Sequence, residues 1–145
     1  MVDKRTIGRL LMLTGGLVAL ACAAPKPSPD LLAPTEAQMK LRSIQTRTFD
    51  IYDRNQAMRG VIAALQDLGF IIERANEPMG LVTAARFAEP DYLNVVEVTV
   101  TVRPQEGGRM MIRANAIYNN EPIENPKVYQ NFFGTLERSV FLTRN

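Results

Sequence analysis

VVEVTVTVRPQEGGRMMIRANAIY, residues 95–118, is the most regular part of this 145-residue chain, and its pattern sets the class of fold. Apolar and polar residues alternate through both halves, which predicts two strands that each bury one face. Residues 104–108 turn the chain between them. Because parallel strands are buried on both faces, the one-sided pattern favours antiparallel pairing. The inward positions are Val96, Val98, Val100 and Val102 in the first strand, and Met110, Ile112, Ala114 and Ala116 in the second.

Three further strands are predicted before this pair. Residues 70–74 and 81–87 are apolar or β-branched stretches joined by a turn at 76–80, which contains Pro78 and Gly80. Residues 44–51 mix β-branched and aromatic side chains with polar ones, which predicts a first strand.

Two amphipathic helices are predicted beside these strands. One follows Asp53, a capping residue, and stops at Gly69, whose left-handed conformation brings Phe70 back toward Leu65 in a Schellman ending. The other begins at Asn125-Pro126. Their apolar stripes are Met58, Val61, Ile62, Leu65 and Leu68 in the first helix, and Val128, Tyr129, Phe132, Phe133, Leu136 and Val140 in the second.

These elements predict an α+β domain over residues 41–145, with the order β-α-β-β-β-β-α. An antiparallel sheet of about five strands carries both amphipathic helices on one face. Thr35 and Gln38 have capping-box spacing, which predicts a short helical turn from Glu36 to about Lys40. Residues 58–87 are similar to helix-grip modules of outer-membrane lipoproteins such as component C of the β-barrel assembly machinery. This resemblance bears on the fold alone and assigns no functional residue.

The first 21 residues are typical of an export signal. Lys4, Arg5 and Arg9 form a basic start, and an uncharged, largely apolar run over 10–21 follows. The run is shorter than the roughly 20 residues that a membrane-spanning helix needs, so a retained anchor is the less favoured alternative.

Ala19-Leu20-Ala21-Cys22 resembles the cleavage region of bacterial lipoprotein precursors. The resemblance implies a signal peptide over 1–21, cleavage by signal peptidase II and lipidation of Cys22. Because Ala23, not Asp, follows the cysteine, it also implies sorting to the outer membrane of a Gram-negative bacterium, on the periplasmic side. Ordinary secretory cleavage after Ala21 is the alternative and would leave a free thiol.

Residues 22–40 are predicted to tether the domain to the membrane. Four prolines in residues 23–34 favour an extended chain of about 3.1 Å per residue. Without residues 1–21 the chain has 14 basic and 14 acidic side chains, so a nucleic-acid partner is not expected.

Composition argues against most catalytic and metal chemistry. The chain has no His and one Cys, which excludes the usual bases and the usual zinc ligands. Three carboxylate pairs lie in or beside predicted turns, where solvated acids are expected: Glu73 with Glu77, Glu89 with Asp91, and Glu121 with Glu124. We expect no enzyme activity, no cofactor and no metal.

Two surfaces remain as candidate sites, each with a plain structural alternative. The first is a docking face formed by Glu97, Thr99, Thr101, Arg103, Arg109, Met111 and Arg113. The second is a hydrophobic groove lined by Tyr129, Phe132 and Phe133. The alternatives are a solvated sheet face and ordinary core packing.

The sequence supports two hypotheses about function. The favoured one is a non-enzymatic adaptor or accessory subunit of an envelope assembly, transport or secretion complex, with a protein partner on the docking face. The alternative is a carrier of a lipid or small hydrophobic ligand in the groove between the C-terminal helix and the sheet.

Overall fold

The alternating residues form the two longest strands of the sheet. The computed structural model describes residues 33–90 and 92–142, and from Pro34 onward they belong to one compact unit. In chain order the elements are α1 (Glu36–Ile44), β1 (Thr46–Phe49), α2 (Arg54–Asp67), β2 (Ile71–Asn76), β3 (Leu81–Phe87), β4 (Val95–Gln105), β5 (Arg109–Tyr118), β6 (Glu121–Pro122) and α3 (Pro126–Leu142).

All neighbouring strands pair antiparallel, in the order β1-β5-β4-β3-β2, and β6 pairs with the outer edge of β5. The predicted α+β fold with an antiparallel sheet of about five strands is confirmed. The described residues contain three helices, one more than predicted, and the order therefore begins with a helix.

The additional helix, α1, is longer than the short turn predicted from the capping box. Gln38 N donates to Thr35 Oγ1 at 3.2 Å, and Thr35 N donates to Gln38 Oε1 at 3.0 Å. The helix continues to Ile44 because Leu41 and Ile44 pack against the hydrophobic core. The first strand consequently begins at Thr46, two residues later than predicted.

The turn between β4 and β5 is shorter than predicted, because β4 continues through Pro104 to Gln105. Proline is poorly tolerated in a strand that has neighbours on both sides. β3 begins with Leu81, which pairs with Thr101. At Pro104, β4 is therefore flanked by β5 alone. Proline lacks an N–H, but no residue of β3 lies opposite to accept a hydrogen bond from it.

The predicted Schellman ending of α2 is present. Gly69 has φ +80°, its N–H donates to Gln66 O at 2.9 Å, and Phe70 N donates to Leu65 O at 2.9 Å. Leu65 is fully buried and Phe70 half-buried. The glycine thus turns Phe70 back over the end of the helix.

One hydrophobic core lies between the inner face of the sheet and the helices α2 and α3. Each large apolar side chain contributes about 1.5–3 kcal/mol when it is fully buried. The largest of these are Val61 and Leu65 from α2, Val82, Val100, Val102 and Ile112 from the sheet, and Tyr129, Phe133 and Leu136 from α3.

Helices α2 and α3 approach closely at Gly60. A Cβ atom there would lie 2.8 Å from Val140 Cγ2 and 3.6 Å from Leu136 Cδ1. Val140 is β-branched, so its methyl group has little freedom to move away. Packing between the helices therefore requires the absence of a side chain at this position.

We expect Gly60→Ala to lower the free energy of unfolding by about 1–2 kcal/mol, because overpacking outweighs the gain in helix propensity. Gly134→Ala in α3 is the matched control. Its Cβ would meet its nearest atom, Arg138 Nη1, at 3.9 Å, which is an ordinary contact. That variant should gain about 0.5–1 kcal/mol from helix propensity alone. Urea unfolding measures both, and a change of the same sign in the two variants would contradict the packing argument.

Candidate functional site

The outward positions of β4 and β5 lie on the sheet face opposite α2 and α3. All seven residues of the predicted docking face belong to this surface. Glu97, Arg103 and Arg109 are exposed, and Thr99, Thr101, Met111 and Arg113 are half-buried.

The strand register gathers three arginines around Met111. Arg103 on β4 lies opposite Met111, while Arg109 and Arg113 flank it at two residues' distance on the same face of β5. Glu97 lies six residues before Arg103, about 20 Å away along the strand at roughly 3.3 Å per residue. This end of the face is therefore basic with an apolar centre. We call Met111 and the three arginines the arginine cluster.

Side-chain hydrogen bonds hold parts of the arginine cluster in place. Arg113 Nε donates to Thr46 Oγ1 at 3.0 Å. Gln105 Nε2 donates to Met111 Sδ at 3.6 Å, and Thr48 Oγ1 donates to Gln105 Oε1 at 3.2 Å. Side chains that are already ordered lose less conformational entropy when a partner binds.

The opposite end of the same face carries apolar side chains that the sequence analysis did not single out. Ile71 is 69% exposed and Phe87 is 59% exposed. Ile71 pairs with Ala85, and Phe87 pairs with Val95, so both lie in outward rows of the sheet. Their position depends on strand register, which a local stretch of sequence does not reveal.

An apolar groove of about 360 Å³ lies between the first half of α3, the end of α2 and the inner face of the sheet. Tyr129 and Phe132 line it. Phe133, the third aromatic residue predicted there, lies elsewhere. Its ring centroid is 6.2 Å from that of Phe49, and the Arg47 guanidinium lies 5.0 Å from the Phe133 ring centroid.

The groove exists because the inward row of β5 changes from large to small side chains. Met110 and Ile112 fill the space near β1, whereas Ala114 and Ala116 lie beneath the first half of α3. Ala116 pairs with Val98, which also lines the groove. Two consecutive inward alanines leave a depression that their neighbours do not fill.

Two cationic side chains line the groove, and sequence reasoning missed both. Arg86 on β3 places its guanidinium 5.1 Å from the ring centroid of Phe70, which also lines the groove. Lys127 lies in the first turn of α3. In the sequence, the alternation of β3 places Arg86 on the same face as Val82 and Ala84. Its contact with Phe70 is seen only in the folded structure.

A hydrogen-bond network holds the side chain of Tyr129, which lines the groove. Gln45 is 4% exposed, and its Nε2 donates to Tyr129 Oη at 3.1 Å and to Asn115 Oδ1 at 3.1 Å. Tyr129 Oη donates in turn to Ile123 O at 2.6 Å. Along the edge of β5, Ala114 N donates to Gln45 O at 2.9 Å. The network thus fixes the side chain of Tyr129. The bond from Ala114 to Gln45 occupies the edge of β5 between its pairings with β1 and β6.

We expect Tyr129→Phe to lower the free energy of unfolding by about 1–3 kcal/mol. The change removes the acceptor for a buried amide N–H and the donor to a carbonyl, which leaves polar groups unsatisfied. Tyr118→Phe is the control, since Tyr118 is 39% exposed and water can solvate its surroundings. Thermal and urea unfolding provide the measurement, and equal stability of the two variants would show that the network contributes nothing.

The acidic side chains of the described residues are solvated and do not gather into a metal-ligand group. Every Asp and Glu side chain in residues 33–90 and 92–142 is exposed, including the described members of the three predicted pairs. Asp91 lies outside this set. Within the same ranges no three His, Cys, Asp or Glu side chains come together as a metal site requires.

The predicted membrane attachment lies outside the described residues, which begin after Cys22 and most of the proline-rich segment. In the part of the chain that is described, no helix combines the length and the apolar character needed to cross a bilayer.

Neither a scan against protein-family models nor a search of curated proteins finds a match for this chain. Among solved structures, the chain is similar to the adenylate sensor from AMP-activated protein kinase in complex with ZMP. The identity is 11% and the TM-score 0.48, over 66% of this chain and 94% of that chain. A match at this level carries no implication for what this chain binds.

Proposed function

We propose that this protein is a lipoprotein tethered to the outer membrane through Cys22 that acts as a non-enzymatic adaptor or accessory subunit of an envelope complex. The observation that carries the proposal is the arginine cluster on the sheet face opposite α2 and α3. It combines three cations with a half-buried thioether on a face over which no described helix packs.

The chemistry of the arginine cluster defines the partner surface that it fits. Arginine binds carboxylates through paired N–H groups, and Met111 offers an adaptable apolar contact at the centre. Glu106, in the adjacent turn, is the nearest acidic residue along the chain and is exposed. We therefore expect the partner to present carboxylates around an apolar side chain.

Tethering of this protein to the membrane supplies much of the binding free energy for its partner. Residues 23–34 span roughly 30 Å or more when extended at about 3.1 Å per residue. Anchoring both partners to one membrane raises their effective concentration, so a modest contact area is sufficient. This mode of action requires no catalytic group.

Lipidation is tested with Cys22→Ser. The parent protein should incorporate radiolabelled palmitate and fractionate with the outer membrane, because one acylated cysteine with several chains anchors stably. The variant should incorporate none and should leave the membrane fraction or remain uncleaved. Identical labelling and fractionation of the two proteins would refute the lipoprotein assignment.

Docking through the arginine cluster is tested by site-specific photocrosslinking in cells. A photoreactive residue in place of Thr101 should give an adduct of discrete mass, and the same residue in place of Gln66, exposed on α2, should not. Arg103→Glu with Arg109→Glu should abolish the adduct because the charge complementarity is reversed. Equal adducts at both positions, or an adduct insensitive to charge reversal, would rule out this face.

The groove favours a second candidate function, a carrier of a lipid or small hydrophobic ligand. Its volume of about 360 Å³ falls within the roughly 300–1,000 Å³ of small-molecule sites. Ala116→Leu would fill its floor. Native mass spectrometry of protein purified gently from its membrane should show a bound ligand on the parent and none on the variant. A parent protein that carries nothing and takes up nothing would end this candidate.

A further inference from the structure

We infer that the groove selects a fatty acid, a single acyl chain with a carboxylate head, and holds the carboxylate at Arg86 with Lys127 as a second cation. This inference rests on the carrier function proposed above and adds the chemical class of its ligand. It follows from the charges along the groove, the geometry of Arg86 and the size of the cavity.

The charges that line the groove are of one sign. Arg86 and Lys127 are cationic, Asn131 is a neutral polar residue, and no Asp or Glu lines it. The remainder of the lining is apolar apart from the Tyr129 hydroxyl, which already bonds to Ile123 O. A ligand that matches this surface has a long apolar part and an anionic end.

Arg86 is positioned for a carboxylate by its contact with Phe70. The guanidinium carbon Cζ lies over the Phe70 ring, 5.1 Å from its centroid. This cation–π contact holds the guanidinium beside the groove, and its planar fork of five N–H donors is suited to paired bonds with carboxylate oxygens. The Schellman ending at Gly69 fixes Phe70, and thereby one side of the head-group site.

Lys127 complements Arg86 from the helix side. It is exposed in the first turn of α3, and its flexible stem lets the ammonium group reach toward an anion at the mouth of the groove. An ion pair at such an exposed position is worth little by itself. The apolar floor therefore supplies most of the affinity, and the cations supply the choice of head group.

The size of the groove favours one acyl chain over a phospholipid with two. A volume of about 360 Å³ lies near the lower end of the roughly 300–1,000 Å³ range for small ligands. Leu65, Val98, Ala114 and Phe132 form its buried floor. A single chain covers this floor without displacing the core.

The test compares laurate with dodecanol, which share a chain and differ in head-group charge. The protein purified from its membrane is released from detergent micelles in native mass spectrometry, and the adducts are counted at equal concentrations of both probes. Laurate adducts should predominate in the parent. Arg86→Gln and Lys127→Gln should each weaken laurate binding about threefold to fivefold and leave dodecanol unchanged.

Arg59→Gln is the matched control, because it removes one positive charge from an exposed position on α2 that does not line the groove, and it should not alter the adduct ratio. Ala116→Leu and Asn131→Trp should block both probes, the first from the buried floor and the second from the exposed mouth. The second variant keeps the test informative should the first disturb folding.

Two results would overturn the inference, and they are distinguishable. In the first, laurate and dodecanol bind equally, Arg86→Gln and Lys127→Gln change neither, and Ala116→Leu or Asn131→Trp blocks both. That result would leave the carrier function standing and refute the choice of a fatty acid. Absence of adducts with either probe in the parent would refute the carrier function together with its ligand.

Discussion

Burial of one face of β4 and β5 beneath α2 and α3 is the constraint on which the rest of this structure depends. Because side chains alternate along a strand, burying Val98, Val100 and Val102 forces the residues between them onto the other face. A slip of one residue would place threonines and arginines in the core. Register, core and open face are therefore fixed together.

Both candidate sites are consequences of that arrangement. The arginine cluster forms because Arg103, Arg109 and Arg113 occupy outward positions whose register brings them around Met111. The groove forms on the other side, where the buried row ends in alanines. The two surfaces lie on opposite faces of the sheet, so a bound ligand and a docked protein would not compete for the same side chains.

Most of the fold could be predicted from local signals, because each of them involves only a few neighbouring residues. The Asp53 cap, the Gly69 ending and the turn at 76–80 need only neighbouring groups, and all are present in the structure. The full length of α1 was missed because Leu41 and Ile44 extend the helix by packing against the core. Pro104 was assigned to the turn with residues 105–108, whereas it belongs to β4 at a position beyond the residues that pair with β3.

The sequence by itself determined the class of fold, the inward and outward faces of β4 and β5, and the resemblance of the segment before Cys22 to lipoprotein precursors. These properties follow from periodicity and from adjacent residues. Only the tertiary structure decided that Phe133 packs against Phe49 and not in the groove, that Arg86 lies over Phe70, and that Gln45 bonds to Tyr129. Each of these contacts joins residues far apart in the chain, and their geometry is set by strand register and helix placement, which no short stretch of sequence contains.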